Sequence, residues 1–113
     1  TSDAALLKSC FADSAILQTI VKNKEGKAIA KTDDVNEFAK QIASLPVNAA
    51  DEQISFESVQ IDGPMASVWT PYNFYYNGIF SHCGVNHFVL LKQNNTWKIQ
   101  YLIDTRRKQG CKP

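Results

Sequence analysis

Apolar positions along this chain change their spacing from one stretch to the next, and each spacing predicts an element. In residues 2–11, SDAALLKSCF, Leu6, Leu7, Cys10 and Phe11 fall on one helical face, with Ser2 or Asp3 available as a cap. AILQTIV (15–21) reads as a strand, and KNKEGK (22–27) as a polar turn around Gly26. Val35, Phe38, Ala39, Ile42 and Leu45 then recur at helical spacing across 34–45, with Thr32 or Asp33 at the N-cap and Pro46 marking the end. Four strand patterns follow, over 53–61, 66–75, 79–92 and 96–105. Asp62-Gly63-Pro64, Tyr76-Asn77-Gly78 and Asn94-Asn95 separate them with turn chemistry. Helix, strand pair, helix and a long antiparallel meander make an α+β domain with its helices on one face of a curved sheet. Ile54 and Phe56 share one parity, Val59 and Ile61 the other, which predicts a β-bulge between them.

Side chains alternate across a strand, so parity assigns faces. A three-residue loop at Tyr76-Asn77-Gly78 would pair 75 with 79 and set Tyr72 opposite His82. A two-residue Asn94-Asn95 turn pairs 93 with 96, which sets Leu90 opposite Ile99, Phe88 opposite Tyr101, Asn86 opposite Ile103, Gly84 opposite Thr105 and His82 opposite Arg107. One face is then apolar at the turn end (Phe88, Leu90, Trp97, Ile99) and polar at the other (Tyr72, His82, Asn86, Thr105, Arg107), as a pocket with a greasy floor would be. The opposite face carries Trp69, Tyr75, Val85, His87, Val89, Leu91 and Leu102. It is too apolar for free solvation, which points to a homodimer packed through the sheet by Trp69, Tyr75, Val85, His87 and Val89.

Composition narrows the classes. At 113 residues, 44% hydrophobic and 20% charged, the chain (1–113) is one ordinary globular domain. A net charge of +1 gives no general pull toward nucleic acid or anionic membranes, and no apolar run reaches the roughly 18 residues of a spanning helix. The basic tail TRRKQGCK (105–112) reads as a solvated terminus. Thr1 is not an initiator, so the start is read as processed or trimmed. Cys10, Cys83 and Cys111 show no C-x-x-C spacing; three reduced, mostly buried thiols are the leading expectation, and a Cys83–Cys111 bridge, implying an oxidising compartment, is the alternative.

The segment SHCGVNHFVLLKQNNTWKIQYLIDTRR (81–107), with CFADSAILQT (10–19), resembles the nuclear transport factor 2-like superfamily. Within it, the likeness is to the bacterial branch of small, uncharacterised proteins related to polyketide-cyclase-like and ketosteroid-isomerase-like domains. The resemblance implies a cone-shaped, cystatin-like α+β fold, with a strongly bent antiparallel sheet wrapped around helices and a pocket on the concave side. It also implies a dimer through the sheet. Family members usually open with a long helix of which only the short successor is present here, which implies either a truncated form or a more open pocket. Some members of the branch carry export signals, so a cytoplasmic location and export with signal removal both stay open.

A metal is not expected: His82 and His87 face opposite ways, and Cys83 and His87 lie about 13 Å apart at roughly 3.3 Å per residue. Zinc ligands must converge to within about 2.0–2.3 Å of one ion. Adjacent His82 and Cys83 point apart, so no Cys-His nucleophile is expected, and no phosphate loop or other cofactor motif appears. The remaining chemistry is His82 as general acid or base, Tyr72 as a helper polarising a carbonyl, and Arg107 holding an anion. Asp104 is the alternative acid-base group, turned to the outer face in this register and salt-linked to Arg106 unless a bulge near the strand end brings it inward. The expected ligand contacts are Tyr72, His82, Asn86, Tyr101, Thr105 and Arg107, around a small, partly apolar molecule that could be anionic. A core histidine merely satisfied by tyrosine competes with this reading. The expected function is therefore small-molecule binding. An isomerase, dehydratase or cyclase using His82 and Tyr72 is the first alternative, and a non-catalytic dimerisation domain the second.

Overall fold

The computed structural model describes residues 4–46 and 49–111. Two helices, α1 (Ala4–Ser9) and α2 (Val35–Ala43), accompany seven strands: β1 (Phe11–Lys22), β2 (Ala28–Asp33), β3 (Ala50–Ile54), β4 (Ser58–Asp62), β5 (Met65–Tyr76), β6 (Ile79–Gln93) and β7 (Thr96–Asp104). They form one curled sheet in the order β2-β1-β7-β6-β5-β3, with β4 also on β5. The sheet is mixed rather than wholly antiparallel, because β1 runs parallel to β7 and closes the meander with its first long strand. This is the α+β, cystatin-like architecture expected.

The elements follow from local chemistry, with some corrections. Asp34, not Thr32 or Asp33, caps α2: its carboxylate accepts the Glu37 amide at 3.0 Å, while Thr32 and Asp33 pair with Gln18 and Leu17 in the ladder. The helix lays Ala39 and Phe38 on the concave side, where Phe38 meets Phe11 edge-on at 6.5 Å. The first helix is shorter than expected, since Phe11 already belongs to β1; its proposed caps, Ser2 and Asp3, lie outside the described residues. The strand expected over 53–61 is two strands, and the parity change between Ile54 and Val59 appears as their break. Across it, Ser55 and Glu57 still donate to the Pro71 and Trp69 carbonyls, each at 3.0 Å.

Two bulges decide which side chains face the concavity. Asn77 (φ 51°) and Gly78 (φ 78°) form a two-residue turn pairing Tyr76 with Ile79, not the three-residue loop expected. Positive φ at both central residues matches the right-handed twist of the flanking strands. Ser81 is then the extra residue, since Tyr75 pairs with Phe80 but Phe74 with His82. Tyr72 therefore lies opposite Gly84 rather than His82, and meets the His82 ring diagonally at 5.7 Å. In the last hairpin the Asn94-Asn95 turn and the Leu90–Ile99 pair stand, but Gln100 bulges. Beyond it Val89 pairs with Tyr101, Phe88 with Leu102 and Asn86 with Asp104. So β7 presents odd positions inward before Gln100 and even positions after it, moving Leu102 and Asp104 inside and Tyr101 outside.

Cysteine chemistry also departs from the leading expectation. Cys83 and Cys111 are bridged, with their Cα atoms 5.8 Å apart, and Cys10 is free and exposed rather than buried. Trp69 and Trp97 are 42% and 36% exposed, Trp69 lying against His87 and Trp97 beneath the Lys92 ammonium, so neither is a core residue. Among the described residues no helix is long and apolar enough to cross a membrane.

Candidate functional site

Between the concave sheet face and the two helices lies a cavity of about 380 Å³. Leu17 of β1, Phe38 and Ile42 of α2, Phe88 of β6 and Leu102 of β7 form its apolar wall. At its polar end, where β5, β6 and β7 approach one another, stand Tyr72, His82, Asn86 and Asp104. Each gets there by parity: Tyr72, His82 and Asn86 are even residues on strands whose even face is concave, and Asp104 arrives through the Gln100 bulge.

Asp104 is the hub of the polar end. Its Oδ1 accepts the buried Thr19 hydroxyl at 2.7 Å; its Oδ2 accepts Arg106 Nε at 3.3 Å and lies 3.3 Å from the Tyr72 hydroxyl. Tyr72 spends its proton on the Thr105 carbonyl, 2.6 Å away. Burial, followed by the nearby Asp104 charge, pushes the Tyr72 phenol well above its ordinary range, so it stays protonated. His82 packs between Tyr72 and Phe74, its ring centroids 5.7 and 5.1 Å from theirs, with Nδ1 2.9 Å from Ser81 Oγ. Burial, then the Arg106 charge, lowers its pKa, with Asp104 opposing and Lys108 adding a little. The ring is thus held neutral near pH 7, the form in which a histidine can accept a proton. Asn86 donates to Glu52 Oε2 at 3.4 Å. Glu52 is an exposed residue, but its carboxyl turns toward the cavity mouth. Desolvation raises its pKa, the Asn86 bond resists that rise, Asp104 adds to it and Arg106 opposes it.

Of the six expected ligand contacts, the structure brings Tyr72, His82 and Asn86 together and leaves Tyr101, Thr105 and Arg107 apart. The cause is the Gln100 bulge. Tyr101 turns outward and donates to Gln18 Oε1 at 2.5 Å; the Thr105 hydroxyl caps the Val85 amide at 3.1 Å. Arg107 pairs its backbone with Cys83 and spends its guanidinium on the Gln109 and Gly110 carbonyls, so it is not placed to hold an anion in this cavity. The Asp104–Arg106 ion pair is present, but on the concave side. Glu52, Thr19 and Arg106 were not expected at the site. Thr19 shares parity with Leu17, yet its inward face becomes readable only once β1 is known to dock on β7. Glu52 lies one residue before the strand predicted from 53. Among the described residues no three His, Cys, Asp or Glu side chains converge as metal ligands.

The curled sheet with a helix-lined concavity is the nuclear transport factor 2-like, cystatin-like fold, and solved structures match it over almost the whole chain. A cystatin-like domain of unknown function from Nostoc punctiforme superposes with a TM-score of 0.68 at 17% identity, covering 96% of this chain and 68% of its own. A second cystatin-like protein from that organism gives 0.70 at 13% identity, covering 95% and 78%. An NTF2-like protein of unknown function from Shewanella baltica gives 0.65 at 17%, covering 96% and 81%. No family model matches the sequence, and no curated protein is found similar to it. At such identities the likeness establishes the fold alone.

Proposed function

We propose that this chain is a small-molecule-binding domain whose concave cavity takes a compact, partly apolar ligand. The convergence of Tyr72, His82, Asn86 and Asp104 at one end of a 380 Å³ apolar-walled cavity carries this reading. The ligand body would lie against Phe38, Ile42, Phe88 and Leu102, and its polar head would meet His82 and Asp104. An anionic head would meet only the Arg106 guanidinium, already engaged by Asp104 and by Thr19 at 3.4 Å, so a neutral head fits better. A crystal structure of the protein as purified, with a soaked series of phenylalkyl alcohols and ketones, tests this. Density touching His82 and Asp104 is expected; a cavity that stays empty across the series overturns the reading.

One observation favours acid-base chemistry in the same cavity: a neutral imidazole and an inward carboxylate share it. In such an isomerase, dehydratase or cyclase, His82 or Asp104 would move the proton. Tyr72 suits the helper role less well than expected, since its proton is committed to Thr105. The outer face keeps Trp69, Tyr75, Val85, His87 and Val89 on one side of β5 and β6, in the register that pairs Trp69 with His87. With Trp69 42% exposed, this face supports a homodimer through the sheet. Light scattering should give twice the chain mass, falling to one in Trp69→Glu; a native monomer would refute it.

A further inference from the structure

After β7 the chain does not leave the sheet but continues along β6 in the same antiparallel register as far as Arg107, then turns so that Cys111 reaches Cys83; residues 105–111 form a strap. Thr105 exchanges bonds with Val85, its amide donating to the Val85 carbonyl at 3.1 Å, and Cys83 and Arg107 exchange two backbone hydrogen bonds of 2.8 Å. Gly84 makes this closeness possible: a Cβ there would sit 2.0 Å from the Thr105 carbonyl oxygen. The strap ends in the Cys83–Cys111 bridge, which ties its exposed residues Arg106 to Gly110 to one of the most buried residues in the protein.

Through Arg106 this strap also lines the cavity. It supplies the carbonyl that takes the Tyr72 proton, carries the Arg106 that pairs with Asp104, and carries the Lys108 whose charge reaches His82. Ordering so short and exposed a segment costs conformational entropy comparable to the net gain from its few hydrogen bonds, so the covalent tie decides whether it stays docked.

We propose that the Cys83–Cys111 bridge is a redox-operated clasp, whose opening releases residues 105–111 and rearranges the polar end of the cavity. The consequence for binding rests on the reading given above; the clasp itself does not. Opening needs a dithiol reductant. Its thiolate attacks Cys111 Sγ, the more accessible sulfur, and Cys83 leaves as a thiolate that takes up a proton. The reductant's second thiol then resolves the mixed disulfide, yielding two cysteine thiols and an oxidised dithiol. With the strap released, Tyr72 regains a free hydroxyl proton, and His82 loses two nearby positive charges.

NMR of the labelled full chain, before and after dithiothreitol, tests this without any ligand. Amide exchange at Arg107 should quicken by about a hundredfold or more. The His82 titration midpoint should rise as Arg106 and Lys108 move away, and the Tyr72 ring signals should shift. Cys111→Ser should reproduce the reduced spectrum. Free thiols at both positions in protein purified under oxidising conditions overturn the proposal, as does a bridge that cannot be opened without unfolding the sheet. So does faster exchange at Arg107 with His82 and Tyr72 unmoved, which is a mere staple. If His82 responds while no compound binds the cavity, the clasp stands and the binding function falls.

Discussion

Gly84→Ala puts the geometry of the strap to a quantitative test. The added methyl would lie 2.0 Å from the Thr105 carbonyl oxygen, 2.7 Å from its carbonyl carbon and 3.1 Å from its hydroxyl oxygen. Real Cβ contacts essentially never fall under 3.0 Å, so the strap must retreat by at least 1.0 Å, the difference from 2.0 Å, and the obstacle is backbone rather than a movable side chain. Such overpacking costs about 1–3 kcal/mol. The retreat also stretches three hydrogen bonds of Thr105: from the Tyr72 hydroxyl at 2.6 Å, to the Val85 carbonyl at 3.1 Å and from the Val85 amide at 3.1 Å. Each contributes about 0.5–1.5 kcal/mol net. A loss of about 3 kcal/mol is expected, which lowers Tm by roughly 12 °C at about 4 °C per kcal/mol for a domain of this size. Thermal unfolding of the oxidised protein by circular dichroism measures it. Gly110→Ala is the control: it faces only Arg107 Nε at 3.7 Å and, at φ +71°, should cost about 1 kcal/mol from backbone conformation alone. A Gly84→Ala protein within about 0.5 kcal/mol of the native one would refute the close approach and the strap's docking with it.

Asp104→Asn should destabilise by about 1–3 kcal/mol, because Thr19, 4% exposed, and Arg106 lose a charged acceptor; urea unfolding reads it, and no change would contradict the hub role. His82 should titrate below its ordinary value of about 6.5 in the folded protein. The unfolded chain then binds the proton more readily, so stability is full above about pH 6.5 and falls as pH drops from there toward the folded midpoint. His82→Gln should abolish that slope in a pH series of melts. Replacing Cys83 and Cys111 by Ser opens a loop with a sequence separation of 28 and should cost at most about 3.6 kcal/mol by loop-closure entropy, measured against the oxidised protein.

Much of the fold was legible because it rests on short-range signals. The helical spacing of Val35, Phe38, Ala39 and Ile42 needs no partner to be read, and Asn77-Gly78 and Asn94-Asn95 announce their turns by residue type alone. Strand faces were legible except where a single one-residue shift went unseen. Nothing in the residues around Ser81 or Gln100 distinguishes a bulge from regular pairing, because the extra residue is accommodated where the whole sheet must bend. Hence Tyr72, His82 and Asn86 were read onto the concave face, the one-residue shifts of the Asn77-Gly78 turn and the Ser81 bulge cancelling, whereas Tyr101, Thr105 and Arg107 were read inward and Asp104 outward because the single shift at Gln100 went unseen. Thr19 was hidden for a second reason: its place depends on the parallel docking of β1 on β7, a pairing between residues more than 80 apart. The bridge was underweighted because the expected register carried the tail along β6 to Arg107 but gave no sign of the turn beyond it that brings Cys111 to Cys83.

The Gln100 bulge also bears on how this chain tolerates genetic change. A strand that shows odd residues inward on one side of a point and even residues on the other behaves like a reading frame shifted by one. Loss of the single codon for Gln100 would remove the extra residue and leave the pairs on both sides as they are, Leu90 with Ile99 and Val89 with Tyr101, so that Asp104 keeps its inward face. A one-residue insertion or deletion within the regularly paired stretches of β7 would instead exchange the faces of the residues between it and the bulge. Among related sequences, a hairpin one residue shorter should therefore be tolerated at the bulge and not within the paired stretches that flank it.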